Sequence, residues 1–177
     1  KGDLQHFENT LHQHVAVAQY CGPYKISVHS GSDKFSIYPI LGRVCRELLH
    51  VKTAGTSYLE ALRVVARQHP DAFLEILKYS IDRFETDSAT YHISALVENL
   101  ADPIFLNAEE REEKYLDQDD GRQVLHVAFG SVLTKGRMPN DQSFNEVIME
   151  TLEQHAELYE QFLEAHLGRH IELLFAG

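Results

Sequence analysis

Cysteine is scarce in this chain of 177 residues: only Cys21 and Cys45 occur, with no CxxC pair, and no signal peptide is expected. A disulfide-stapled scaffold and a thioredoxin-like redox motif are excluded, and the expected compartment is the reducing cytoplasm. Long apolar runs are lacking too, since none approaches the roughly 18 residues of a membrane span, so no membrane partner is expected. Basic residues are outnumbered, 16 Lys and Arg against 27 Asp and Glu. The net charge of -11 repels phosphate, which argues against nucleic acid as a partner. Polarity itself is limited: 44% of the residues are hydrophobic, too many for a disordered chain and enough for a sizeable core. A single domain over residues 1–177 is expected.

Histidine, by contrast, is abundant at eleven residues, and the chain opens at Lys1 without an initiator Met, so we read it as part of something longer. Apolar residues at Leu4, Phe7, Leu11, Val15 and Ala18 predict an amphipathic helix that ends at Cys21-Gly22-Pro23. Ile26 and Val28 then alternate with Lys25, Ser27 and His29 as a strand, followed by a loop and a helix through about residue 47. A second strand, Leu49 to Thr53, leads through a small-residue turn into an apolar-striped helix. Pro70 opens a further helix, residues 84–100 read as its continuation, and the acidic run AEEREEKYLDQDDGR reads as solvated helix and loop. VLHVAFGSVLT reads as a third strand, and residues 143–174 as helix. Alternating strands and helices predict an α/β fold with parallel strands. Three strands cannot close a barrel, and a complete (β/α)8 barrel takes roughly 250 residues. The expectation is therefore the C-terminal portion of a TIM-like barrel, parallel strands with covering helices, incomplete in this chain and with open edges that favour self-association into a homo-oligomer.

Side chains alternate along a strand, so each strand sorts into two faces. Ile26 and Val28 oppose Lys25, Ser27 and His29; Leu49 and Val51 oppose His50 and Lys52; Leu125, Val127 and Phe129 oppose Val124, His126 and Ala128. One face is aliphatic, and the other gathers His, Lys and Ser, as a barrel interior would. Active sites of such barrels lie at the carboxyl ends of the strands, where His29 and Lys52 fall. A strand histidine is more often a hydrogen-bonded core residue than a ligand, and for His126, deeper in its strand, a structural role stands beside the functional one.

The loop Ser30-Gly31-Ser32-Asp33-Lys34 offers hydroxyls, backbone N–H groups and a helix start, suited to cradle a carboxylate or phosphate, or simply to cap the helix. Thr53, Thr56 and Ser57 around Gly55 have the same character. Lys52 could hold a substrate anion, act as a Schiff-base amine if desolvated, or pair with a buried carboxylate. Other apparent motifs fail. His12 and His14 face different ways on their helix, and His166 and His170 share a face but lack the HExxH glutamate, so both sets read as surface residues. Asp117, Asp119 and Asp120 do not follow a calcium-loop pattern, and no nucleophile elbow is present.

VHSGSDKFSIYPI, HVKTAGTSYLEALRVVA and VLHVAFGSVLT together resemble the C-terminal part of the tagaturonate/fructuronate epimerase family of hexuronate catabolism. The first two blocks are long and specific, the third shorter, and the likeness extends over most of the chain. It implies a bacterial, cytoplasmic, metal-dependent (β/α)8-like isomerase acting on a small keto-uronate, interconverting D-tagaturonate and D-fructuronate. The epimerised carbon is two bonds from the ketone, where the C–H is not acidified, so retro-aldol cleavage, rotation and re-addition is the expected route, with transient oxidation its rival. On this resemblance His29 is a ligand of a divalent metal cofactor of unknown identity, and His126 a second ligand or an acid/base. Asp33 is a candidate general acid/base. Ser30, Gly31, Ser32, Lys34, Lys52, Thr53 and Thr56 are candidate substrate contacts, and further ligands lie outside the chain.

Two other readings stay open. HVKTAGT also looks like the strand end of deoxyribose-phosphate aldolase, which would make Lys52 the Schiff-base nucleophile of a metal-free enzyme. A binding or oligomerisation module, its polar strand face filled by a partner, would have neither metal nor turnover.

Overall fold

The computed structural model describes residues 3–22, 24–29, 34–89 and 95–176. They form a mostly helical α/β fold in two compact units, residues 1–54 with 163–177 and residues 55–162.

In the first unit, Asp3 caps helix α1 (Leu4–Tyr20) by accepting hydrogen bonds from the backbone N–H groups of Gln5 and His6. Leu11, Val15 and Ala18 supply its buried stripe, and the chain leaves through Gly22 at φ +96°, a conformation that favours glycine. His12 and His14 are exposed, as their spacing predicts. Strand β1 (Ile26–His29) pairs in parallel with β2 (Leu49–Lys52), in the register Ile26 to Leu49 through His29 to Lys52. The crossover between them carries a 3-10 turn, Phe35–Ile37, and helix α2 (Tyr38–Cys45) with Pro39 in its first turn. Leu11, Val15, Tyr38, Ile40, Leu41, Val44 and Cys45 form the core, against which Ile26, Val28, Leu49 and Val51 pack from the sheet. Leu173 and Leu174, near the end of helix α8 (Ala156–Phe175), join it. Gly42 is needed there, because a Cβ on it would stand 1.8 Å from the carbonyl oxygen of Leu174.

The second unit is helical. Helix α3 (Ala54–Gln68) is followed by α4 (Pro70–Ser88), α5 (Ala108–Glu112), a π-turn over Glu113–Asp117, α6 (Asp119–Lys135) and α7 (Phe144–Gln154). Tyr58, Leu59, Leu62, Phe73, Ile76, Leu77, Tyr115, Leu116, Leu125 and Phe144 anchor its core. Ser143 and Glu146 cap α7 reciprocally.

Three expectations are corrected here. The segment read as a third strand is part of α6: among its buried residues, Gly121, Val124, Leu125, Ala128 and Val132 fall on one stripe at offsets of three, four, seven and eleven, with Arg122 and Val127 buried beside it. The β-branched content of Val124, Val127 and Val132 favours a strand, but burial on one helical face outweighs that weak preference. Helix α4 ends at Ser88, and the described residues beyond it make 3-10 turns at Val97–Asn99 and Pro103–Phe105. The acidic run is not merely solvated. Tyr115 and Leu116 are fully buried, and Arg63 of α3 donates hydrogen bonds to Glu60, Glu112 and Asp117 at 2.8–2.9 Å. Glu112 also takes a two-pronged contact from Arg67. Among the described residues no helix is long and apolar enough to cross a membrane.

Candidate functional site

Alternation along β1 and β2 produces the expected split. Ile26, Val28, Leu49 and Val51 turn toward the core, while Ser27, His29, His50 and Lys52 are exposed on the opposite face. His50 Nδ1 and Ser27 Oγ are hydrogen-bonded at 3.0 Å across the strands, which ties His50 to a structural role. The pair at the carboxyl ends, His29 and Lys52, are register partners, so the sheet itself places an imidazole beside an ammonium group. Lys34 approaches the same strand end, its Nζ donating to the His29 carbonyl oxygen at 3.0 Å. This cluster of one imidazole and two amines can engage an anionic substrate and offer one neutral nitrogen ligand.

Ser30, Gly31, Ser32 and Asp33 lie outside the described residues. Thr53 follows β2 half-buried, and Thr56 is fully buried in the first turn of α3. His126 stands on helix α6, not on a strand, so the shared strand face that linked it to His29 and Lys52 does not exist. Its half-buried ring instead lies on Gly55: a Cβ there would be 2.0 Å from His126 Cε1 and 2.6 Å from Nδ1. Three residues further along each helix, Tyr58 meets Phe129 edge to face at 4.7 Å. Burial pushes the Tyr58 phenol well above its ordinary pKa.

Among the described residues no three His, Cys, Asp or Glu side chains gather as a metal site. A divalent ion of the expected kind needs about three or four protein ligands. His29 fits as one donor of such a set, which the described residues do not complete.

Sequence reasoning missed a second histidine pair. His166 and His170 are not surface residues: His170 is 3% exposed and His166 half-buried, and their rings meet at 4.5 Å. The signal was available in the spacing of Leu163, His166, His170, Leu173 and Leu174, which puts both imidazoles on the apolar stripe of α8.

Comparison with known proteins accords with this architecture. A curated tagaturonate/fructuronate epimerase of Thermotoga maritima is 42% identical over 174 residues, 98% of this chain. The native crystal structure of the fructuronate-tagaturonate epimerase UxaE from Cohnella laeviribosi superposes with a TM-score of 0.87 at 37% identity, again over 98% of this chain. A glycerol complex of the same enzyme matches equally well. The chain spans 35% of the length of each of these relatives. Since the profile of UxaE, tagaturonate epimerase, matches residues 1–174, nearly the whole chain, this protein belongs to the tagaturonate epimerase family.

Proposed function

We propose that the whole protein interconverts D-tagaturonate and D-fructuronate in hexuronate catabolism, and that this chain supplies one wall of its active site. The observation that carries the reading is the strand-end pair His29 and Lys52, register partners on the polar face of two parallel strands in a chain of this family. We place β1 and β2 in a (β/α)8-like barrel: each strand leads into a helix, and the aliphatic face packs inward on that layer while the polar face is left for the barrel interior.

In this scheme Lys52 and Lys34 hold the substrate carboxylate, and the hydroxyls of Ser30, Ser32 and Thr53 with the backbone at Gly31 orient the polyol, whereas Thr56, fully buried, is left with a packing role. A divalent ion, held by His29 with ligands from the rest of the protein, supplies Lewis-acid polarisation of the ketone when bound. Asp33 removes the proton from the hydroxyl of the epimerised carbon. The carbon–carbon bond toward the ketone then breaks, leaving an aldehyde and an enediolate. The aldehyde turns, the bond re-forms on its other face, and the alkoxide takes its proton back, so no atom is gained or lost. His126, on α6 against Gly55, fits a packing role better than that of a second ligand or an acid/base.

The test is epimerisation by the whole protein after chelation and metal add-back, with His29→Ala alongside. Activity restored by metal in the wild type and lost in the variant supports the scheme. Turnover indifferent to both refutes it and directs attention to Lys52.

A further inference from the structure

The strand-end cluster is followed directly by the 3-10 turn Phe35–Ile37, and that turn is gripped by side chains from the far end of the chain. The His170 ring meets Phe35 edge-on with centroids 5.0 Å apart and Tyr38 at 5.2 Å. His166 reaches Phe35 at 6.4 Å, and the Arg169 guanidinium lies 4.2 Å from the centre of the Phe35 ring. His170 is itself locked, its Nδ1 donating to the His166 carbonyl oxygen at 2.8 Å. Phe35 in turn packs against Tyr38 at 5.7 Å, so four rings form one block. Lys34, next to Phe35 in sequence, ends its reach on the His29 carbonyl oxygen. The contacts therefore run without a gap from α8 to the candidate site, and the close approach of Leu174 to Gly42 leaves α8 little room to shift on α2.

We infer that His170 is a positioning residue for the proposed epimerisation, bracing through Phe35 the turn that sets Lys34 and the strand end of His29. This inference rests on the epimerase reading. The brace acts by ring packing: its imidazole is buried among rings, and the turn residue it meets, Phe35, has no polar side-chain atom. A displacement of the turn by a fraction of an ångström moves Lys34 and the His29 backbone together, and misplacement of about 1 Å costs up to about a hundredfold in rate.

The experiment uses the whole protein. In His170→Ala, kcat for tagaturonate falls about tenfold while KM changes much less. His170→Phe, which keeps a ring in the block, restores most of the rate. Phe35→Ala matches His170→Ala, and the double variant is no worse than either single one. Unchanged kcat in His170→Ala, a His170→Phe as slow as His170→Ala, or additive losses each overturn the inference. If His170→Ala does not fold, Arg169→Ala, which removes only an exposed cation from the Phe35 face, decides: kcat drops about threefold at unchanged Tm, and an unchanged kcat overturns the inference. A wild-type protein that does not epimerise at all refutes the epimerase reading instead. The brace is then judged by hydrogen exchange at amides 35–41, which quickens in His170→Ala or else overturns it.

Discussion

Gly55→Ala tests what His126 does. Alanine in a helix is worth up to about 1 kcal/mol over glycine, so at an open position the change would stabilise α3. Here the new Cβ would lie 2.0 Å from His126 Cε1, whereas carbon atoms in contact sit about 3.5–4.0 Å apart. The imidazole must retreat by roughly 1.5 Å, and overpacking of this kind costs about 1–3 kcal/mol. The net effect is a destabilisation of about 0–3 kcal/mol, a drop in Tm of up to several degrees. In a His126→Ala background the obstacle is gone, so Gly55→Ala becomes neutral or stabilising by up to about 1 kcal/mol. The coupling between the two sites is therefore about 1–3 kcal/mol. The assay is a four-member cycle of the whole protein followed by Tm and by epimerase rate. Gly55→Ala costing the same in both backgrounds would refute the packing contact. Restored activity in the double variant would show that His126 carries no indispensable chemistry.

Three further outcomes are expected. Burial pushes the Glu112 carboxyl upward, but hydrogen bonds from Arg67 and Arg63 outweigh it and hold the group below its ordinary value; its contribution is thus complete above about pH 4.3 and lost as pH falls through the depressed native value. Glu112→Gln should lower Tm at neutral pH and converge with wild type in acid, and a gap that does not narrow refutes the linkage. Cys45 is buried and its thiol is pushed up by that burial, whereas Cys21 is exposed, so a thiol reagent should titrate Cys21 promptly and Cys45 only on unfolding. Borohydride with a keto-uronate should leave no adduct on Lys52 of the whole protein, and trapping there would replace the metal scheme by Schiff-base chemistry.

The second unit owes more to cooperation than to local preference. Arg63 at 12% side-chain exposure gathers Glu60, Glu112 and Asp117 around one guanidinium, and Arg122 donates to the Leu116 carbonyl oxygen beside it. These bonds anchor the π-turn, whose Tyr115 and Leu116 fill the core, and Gly121 lets α6 start against its backbone. Removing one member would leave buried charge uncompensated, which is costly, while the intact set mainly fixes geometry.

What the residues determined alone is local. The apolar stripes of α1 and α3, the end of α1, the two strands, their division into aliphatic and polar faces, and the placement of His29 and Lys52 at strand ends follow from side-chain period and turn chemistry within a few residues. The blocks around His29 and Lys52 likewise carried the family resemblance. Distant neighbours decided the rest. A β-branched segment became α6 because its helical face could be buried against α4, the π-turn and α7. His126 came to rest on Gly55, and His170, whose local spacing places it only on an apolar stripe, entered an aromatic block built 135 residues away around Phe35. Period and caps depend on adjacent residues, whereas burial is a property of surfaces that meet only after the chain has folded.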